Sequence, residues 1–574
     1  MDVPEKLAGD PPKTPSMTRR SKSKTAKPRG SPLAGKSPAA AVQGESSRPS
    51  SRQPTSPPDA IRTSDKIVWP VLLLAIYATV GAWGYYDFGN LMGFYDLFAD
   101  ALLAGQLHIN IRPGQGYIHD MIPFEGFYYI QWGPFPGIFH VVAKLVGLAL
   151  SDRVACILAG WLTSLAFLGI MIRLRARFFP EISKAACRWF FFAFALATPT
   201  AIIAVRGTVY HESVGIGALF ILVSLYAFVR LLEGNMVRWA AVAGVSIGFA
   251  MLSRVTLVVY APALFIFLGI ALYTRGSSFA KLGGTLAAFS LPVFAAGGIQ
   301  MLYNAARFGS PWDYGNNYLP TATGKAPFAL SRVPENLKHY LFALPDMIRD
   351  FPWIEHVGWT PLVETLRAED ASSLLLASPF VLLALIAWRL VRPASGPLDL
   401  RIFFGVAALG SGMAFVMLLT FASAARRYTQ DFFPVWVVLA FIGFGLWRPP
   451  RLPAAVVKPA SWALLAASIL LHLHLSFTQP FNWDPPDINI MRAFVTWSPV
   501  ARAFLPAGER FNREEAIIRN DMGTLALKSG RYAEAVGQLE LAAKYMPGEA
   551  RIQQNLDLAR RALEGSRAGG SGNR

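Results

Sequence analysis

From Lys66 onward the chain is a succession of apolar runs of about 16 to 22 residues. A run of that length crosses a hydrocarbon core of about 30 Å once some tilt or thinning is allowed. About eleven spans are read, at 67–84, 154–172, 189–205, 213–232, 238–253, 256–273, 282–303, 373–391, 401–421, 432–447 and 460–477. The chain is 53% apolar and only 16% charged, against roughly a quarter charged in an ordinary soluble domain, which excludes a purely soluble protein. The expected fold is all-α and integral to the membrane, because in lipid each backbone N–H and C=O must find its partner within its own segment.

Charge sets the orientation. The net charge of +18 lies in an N-terminal tail and in short loops between apolar runs, a pattern that orients a membrane protein and does not point to nucleic acid. The segment 134–150 also has the look of a span. Counting it would place Arg173, Arg175, Arg177, Lys184 and Arg188 outside, against the positive-inside bias, so it is laid on the outer membrane surface. The basic clusters at 173–188, 230–238, 275–281, 392–401 and 448–458 then share the side of the N-terminal tail. This topology predicts a multi-pass plasma (bacterial inner) membrane protein with its N-terminus cytosolic and its C-terminus outside. Two outer segments, 85–153 and 304–372, are far longer than connections need to be, which marks them as functional surfaces.

The two ends differ from the apolar middle. Residues 1–66 hold 13 basic and 6 acidic residues among Pro and Ser, with no apolar periodicity to offset the entropy of folding, so a disordered cytosolic tail is expected. After a linker at 478–511, the segment 512–566 turns charged and amphipathic. Gly523, Tyr532, Ala535, Ala542 and Pro547 are spaced like one tetratricopeptide repeat, and a second unit begins at Glu549 but stops early. Such arrays normally need about three repeats, so the segment reads either as a helical hairpin docked on the membrane domain or as a site for a protein partner. Residues 567–574 are expected to be a disordered tail. Cys156 and Cys187 are too few for a disulfide framework or a four-cysteine zinc site, and no H-E-x-x-H occurs.

The first outer segment begins Y-Y-D-F-G-N-L-M-G-F-Y-D-L-F-A-D-A-L-L. Phe94, Leu97, Phe98, Ala101 and Leu102 recur at helical spacing, predicting a short interfacial helix with Asp96 and Asp100, four apart, on its wet face. Carboxylates there suit a general base for a hydroxyl acceptor or a ligand for a divalent cation, or are simply solvated. His119, Asp120 and Glu125 follow, before the aromatic, proline-broken stretch F-Y-Y-I-Q-W-G-P-F-P-G-I-F. Arg206, His211 and Glu212 form a second outer cluster, able to position a substrate or to act as a salt bridge and cap. Arg426, Arg427 and Tyr428 stand at another outer span end, where guanidinium groups can hold a phosphate or snorkel to headgroups. Arg254 also reaches this side. In the second outer segment Arg307, Asp313, Tyr314 and Asn317 offer planar polar groups beside aromatic faces, as carbohydrate recognition requires. His472 and His474 are two apart on a helix, point to different faces and are poor metal ligands.

A helix after the first span, a polar turn, then Y-Y-x-x-x-G-P-x-P leading into a surface helix resembles the first outer loop of polytopic GT-C superfamily glycosyltransferases, the protein mannosyltransferase and aminoarabinose transferase kind. R-G-T-V-Y-H-E at 206–212, Y-N-A-A-R-F-G-S-P-W-D-Y-G at 303–315 and R-R-Y-T-Q-D-F-F-P at 426–434 are similar to bacterial members, and the likeness covers about 67–477. The resemblance implies an inverting transfer of a sugar from a polyprenyl-phosphate donor to a lipid, glycan or protein acceptor on the outer (periplasmic) face, with an acidic residue of the first loop as base. If Tyr95 takes the place of the family's tyrosine, the acidic position four residues earlier is Leu91, next to Asn90. The base then falls to Asp96, Asp87 or Asp120, with Asp96 first because it lies on the predicted surface helix. Substrate binding falls to Arg426, Arg427, Tyr428, Arg206, His211, Glu212, Glu125 and Arg307. No cofactor is implied with certainty; a divalent cation is an open expectation, with no ligand set assigned. A lipid-sugar transporter or flippase and a non-catalytic assembly scaffold are the alternatives; the scarcity of ionisable residues within the spans weighs against transport.

Overall fold

The computed structural model describes residues 61–83, 93–109, 121–148, 150–319, 326–343, 373–392, 396–447, 454–478 and 530–570, with short stretches at 346–347, 354–355 and 367–369 and scattered positions from 516 to 527. The chain opens with α1 (Thr63–Trp83) and α2 (Phe94–Leu103), then a hairpin of β1 (Met121–Phe124) and β2 (Phe127–Ile130). There follow α3 (Phe135–Leu145), α4 (Asp152–Phe178), α5 (Lys184–Leu196), α6 (Pro199–Val205), α7 (Val209–Glu233), α8 (Met236–Ser253), α9 (Tyr260–Thr274) and α10 (Phe279–Phe308). The second outer segment carries α11 (Val333–Leu341), β3 (Asp346–Met347), β4 (Ile354–Glu355) and β5 (Arg367–Glu369). Then come α12 (Leu374–Ala377), α13 (Ala384–Ala387), α14 (Leu398–Thr420), β6 (Ser423–Ala425), α15 (Phe433–Leu446) and α16 (Ala454–Thr478). The C-terminal segment adds α17 (Tyr532–Tyr545) and α18 (Ala550–Gly570).

All eleven apolar runs are helical, but they differ in length. Among the described residues eight helices are long and apolar enough to cross a membrane, and α5 with α6 makes a ninth if the pair, bent by 55°, is one span. The bend sits at Ala197–Thr198, where Pro199 brings no N–H and the Thr198 hydroxyl caps the new helix by accepting from Thr200 N at 3.2 Å. The remaining two, Pro379–Val391 and α15, fall short of the roughly 20 residues a straight crossing needs. Nearly every residue of α15 is buried by neighbouring helices. The stretch 135–145 is an 11-residue helix, too short to span. Its Ile138, Val142 and Leu145 are exposed while His140 is buried, as suits a helix lying in an interface.

Ion pairs divide the helix ends into two sets. At one end Arg173 meets Glu233 at 2.5 Å, Arg275 meets Asp399 at 2.7 Å, Lys184 meets Asp65 at 2.8 Å, and Arg177 also bonds Asp399. These join the starts of α1 and α5, the ends of α4 and α7, and the start of α14 to the ends of α4 and α9, so that all these ends share one side, the alternation the basic clusters predict. Small residues let the helices close up: a Cβ on Gly244 of α8 would overlap the Phe289 carbonyl of α10.

The fold departs from purely helical in three short strand pairs. The β1–β2 hairpin turns through Glu125 and Gly126, both at positive φ (50° and 82°), as a two-residue primed turn requires. The pair β5–β6 is parallel, fastening the second outer segment to Ser423–Ala425. Asn336 of α11 reinforces that attachment, donating to the carbonyls of Leu418, Leu419 and Phe421 at the end of α14. In the C-terminal segment Ala526, Ala535, Leu539, Leu556 and Ala559 form a small core with Gly523 packed closely on Leu539, and α18 runs to Gly570, past the expected boundary at 566.

Gly244→Leu is expected to lower thermal stability in detergent, overpacking typically costing about 1–3 kcal/mol. Gly269→Leu, where no atom stands within 4 Å, is expected to leave the melting temperature unchanged. Equal melting temperatures for the two variants would show that the α8–α10 contact is not this close.

Candidate active site

The first outer segment builds its site by matching two helices of the same period. Asp96 and Asp100 lie four apart on α2; His140 and Lys144 lie four apart on α3. Lys144 Nζ bonds Asp96 at 2.9 Å and Asp100 at 2.7 Å. One turn back, His140 Nδ1 stands 3.9 Å from Asp96 Oδ1 while its Nε2 meets Glu212 Oε1 of α7 at 2.8 Å. His140 and Glu212 are fully buried and Asp96 is 25% exposed, so the row runs from the surface into the helix layer. Tyr95 stacks on His140 with ring centroids 6.3 Å apart and donates its hydroxyl to Gly133 O at 3.1 Å. Asp152, in the first turn of α4, accepts from Gly93 N at 3.2 Å and fixes the start of α2. Beside Glu212, the His211 Nδ1 meets the Thr208 hydroxyl at 2.5 Å.

A second cluster lies at the same end. Arg254, just after α8, bonds Asp431 at 2.8 Å, and Tyr260 donates to the Asp431 carbonyl at 2.8 Å. The Arg254 guanidinium lies 4.5 Å from the Tyr428 ring centre. Arg427 lies 4.7 Å from the ring centre of Tyr210 and 5.1 Å from that of Tyr428. Tyr210 in turn meets Trp132 edge-on at 5.0 Å, and Trp132 stacks on Phe94 at 6.1 Å. An unbroken row of rings and guanidinium groups therefore joins the start of α2 to Arg427.

The structure thus joins Asp96 to Glu212 through His140 and sets Arg427 on Tyr428, with Arg206 and His211 on the turn that carries Tyr210, and the buried Arg426 next to Arg427 in sequence. It does not add Glu125, exposed at the hairpin tip, or Arg307. Arg307 is buried against Tyr303, donates to Ile130 O at 2.9 Å and to Asn304 at 3.1 Å, and locks the hairpin to α10. That accounts for it as a structural cation, and the sugar-site reading of the second outer segment loses its arginine. Asp313 is likewise engaged locally, accepting from Gly315 N and from the Tyr318 hydroxyl, each at 2.7 Å. Asp87, Asp120, Asn90 and Leu91 lie outside the described residues. Sequence reasoning missed His140, Lys144, Asp152, Trp132, Tyr210 and Asp431. The i, i+4 match of His140 and Lys144 with Asp96 and Asp100 was the available signal.

Among the described residues no group of three or more His, Cys, Asp or Glu could hold a metal ion, and Lys144 occupies the space between Asp96 and Asp100. Two nominal motifs occur. G-S-P-L-A-G-K-S at 30–37 has P-loop spacing but lies outside the described residues, in the Pro- and Ser-rich tail. G-V-S-I-G at 244–248 has the spacing of a nucleophile elbow, but it is mid-helix, and Ser246 donates to Val242 O at 2.8 Å.

Environment separates the titratable groups. Burial works to lower the His140 pKa, but the hydrogen bond and charge of Glu212, with the charges of Asp96 and Asp152, more than offset it, and the imidazole titrates above its ordinary value. Burial raises the Asp431 carboxyl above the usual range against the opposing pull of Arg254.

No protein-family model and no curated protein matches the chain. Solved structures to which the chain is similar at low identity include three. The oligosaccharyltransferase of Archaeoglobus fulgidus in the apo form is 13% identical, with a TM-score of 0.43 over 76% of this chain and 59% of that one. ArnT from Cupriavidus metallidurans bound to undecaprenyl phosphate is 16% identical, with a TM-score of 0.40 over 86% and 78%. The archaeal oligosaccharyltransferase AglB from Archaeoglobus fulgidus, in complex with an inhibitory peptide and a dolichol-phosphate, is 13% identical, with a TM-score of 0.37 over 76% and 59%. The chain spans under two thirds of the length of the oligosaccharyltransferases it matches.

Removing Arg254 would leave Asp431, 1% exposed, without its cation. Arg254→Ala is expected to cost about 3 kcal/mol of stability, and Asp431→Asn added to it to restore part of that; a double variant no more stable than the single would sink the pairing argument. The raised His140 pKa has the opposite sign from an acid's. Its stabilisation is complete below the unfolded value of about 6.5 and fades as pH rises through the folded value. Amide protection factors in α3 are therefore expected to be larger near pH 6 than near pH 8.5, and the reverse order would refute the assignment.

Proposed function

We propose that the chain is a membrane glycosyltransferase of GT-C type, moving a sugar from a polyprenyl-phosphate donor to an acceptor on the outer face. The observation that carries this reading is the continuous row from Phe94, on the helix that also bears Asp96, through Trp132 and Tyr210 to Arg427. It lays a wall of aromatic faces and a cation at the end of the membrane helices that also holds the acid. Aromatic faces and planar polar groups suit a sugar ring, and a guanidinium suits the phosphate that leaves it.

In the mechanism, Asp96 takes the acceptor hydroxyl proton as the acceptor oxygen bonds the anomeric carbon. The bond from that carbon to the phosphate oxygen breaks on the opposite side, with inversion, and the polyprenyl phosphate departs as an anion. Arg427, backed by Arg426, stabilises the charge as it develops, the kind of preorganised electrostatic help that contributes most to such reactions. Asp87 and Asp120 stay as the alternative bases. Arg206 and His211, on the turn beside Tyr210, are assigned to the donor's phosphate or the acceptor. Glu212 supports the site from beneath α3. A divalent cation would be an added requirement beyond the described residues, and no step here passes through one. The gathering of basic clusters at the opposite end supports a cytosolic N-terminus and an outer site and C-terminus. The segment at 512–566 is assigned a supporting role or a protein partner.

Purified protein is expected to transfer radiolabelled sugar from polyprenyl-phosphate donors and not from nucleotide sugars. Asp96→Asn should lower kcat about 100-fold or more, the usual worth of a general base. Arg427→Ala should lower it about 100-fold. Removing 512–574 should leave a measurable rate. Full turnover in Asp96→Asn would remove that residue as base, and utilisation of nucleotide sugars alone would overturn the donor class.

A further inference from the structure

His140 and Glu212 are fully buried titratable side chains of the site, and the proposed transfer gives neither of them a proton to handle. Each also keeps one polar atom without a hydrogen-bond partner, His140 Nδ1 and Glu212 Oε2. A buried polar atom left unpaired costs free energy, so it invites a reason. The open nitrogen is the one on the Asp96 side, 3.9 Å from its carboxylate oxygen.

We propose that His140 is a positioning residue of the transfer reaction, receiving through Nδ1 the proton that Asp96 takes from the acceptor, with Glu212 as its buried counter-ion. This rests on Asp96 being the base. The acceptor O–H bond breaks as an O–H bond forms on Asp96. That bond breaks in turn as the Nδ1 lone pair forms an N–H bond, leaving Asp96 ionised and His140 an imidazolium between two carboxylates. Reference acidities favour the transfer, about 4 for a carboxylic acid against about 6.5 for imidazole. When the products leave, the proton returns by way of Asp96, which is 25% exposed, to water.

No other group facing His140 can take this role. Lys144, on its own helix, is already a cation and has no lone pair to offer. Tyr95 on α2 has its hydroxyl committed to Gly133 O. Asp152 on α4 accepts from the backbone N–H groups of Gly93 and Arg153. Glu212 on α7 holds Nε2 and thereby leaves Nδ1 to face Asp96. Lys144 also bonds Asp100, so it can remain there while the Asp96 carboxylate turns the short distance toward the ring.

The test has two arms on the full-length protein in lipid nanodiscs. In the first, the chain is labelled with 15N-histidine, and the signal of His140 among the eight histidines is identified by its loss in His140→Gln. The midpoint of its titration is expected to fall in Asp96→Asn, because the neighbouring carboxylate that favours the imidazolium is gone. An unchanged midpoint would show the two groups uncoupled and overturn the proposal without needing any substrate. In the second arm, transfer from undecaprenyl-phosphate-linked mannose or glucose is followed against pH. The wild type should lose kcat on the acid side as His140 becomes charged. His140→Gln should lower kcat about tenfold with KM unchanged and abolish that acid limb. Loss by the same factor at every pH, or wild-type kcat in His140→Gln, overturns the proposal. Full activity in Asp96→Asn removes the base and the relay together, whereas an inactive Asp96→Asn with an unaltered His140→Gln profile removes the relay alone.

Discussion

The interior of a bilayer offers no water to a charge, so an ionised side chain in such a chain is carried to a helix end, paired, or both. That constraint orders this molecule. Arg173, Arg177, Arg275, Glu233 and Asp399 knit one set of ends together, while His140, Glu212, Arg254 and Asp431 gather at the other. Between them the helices are bound by apolar packing and by small residues such as Gly244, which let backbones approach. The same sorting that makes the spans insertable therefore concentrates acids, imidazole and guanidinium groups in a thin layer at one face.

Much of this was legible from the sequence, because span length and charge placement are local properties. All eleven apolar runs are helical, and the ion pairs reproduce the alternation of ends. Where the reading fell short, tertiary context decided. The α5–α6 bend follows from Pro199, but whether one apolar run forms one span or two half-helices depends on what packs at the break. The α15 helix is short because protein encloses it, a property its own residues cannot announce. The hairpin at 121–130 has strands of four residues, too few for alternation to register, and its aromatics read equally well as an interfacial girdle.

The site followed the same division. Asp96, Glu212, Arg427 and Tyr428 are legible as candidates because each stands at a span end or on an amphipathic surface helix. His140 and Lys144 were passed over because their stretch reads as apolar, and because their partners lie 72 and 44 residues away. Arg307 shows the converse error. Its position at a span end looked like a ligand's, but a carbonyl, an amide and two aromatic rings already satisfy it.

The two halves of the site are held by different means, and that difference bears on how it works. Asp96 is fixed within the α2–α3 layer by Lys144, while Tyr95 stacks on His140 beside it. Arg426 and Arg427 follow directly on β6, whose pairing with β5 and whose neighbouring carbonyls, held by Asn336, tie them to the second outer segment. Rings and guanidinium groups in the series Phe94, Trp132, Tyr210, Arg427 link the halves, beside the helix α7, whose Glu212 meets His140 and whose Tyr210 meets Arg427. Cation–π and edge-on ring contacts tolerate small sliding far better than a buried salt bridge does, since neither strands a charge. The acid and the arginines therefore belong to separate frameworks, and the ring contacts between them can shift without breaking the ion pairs that hold either one.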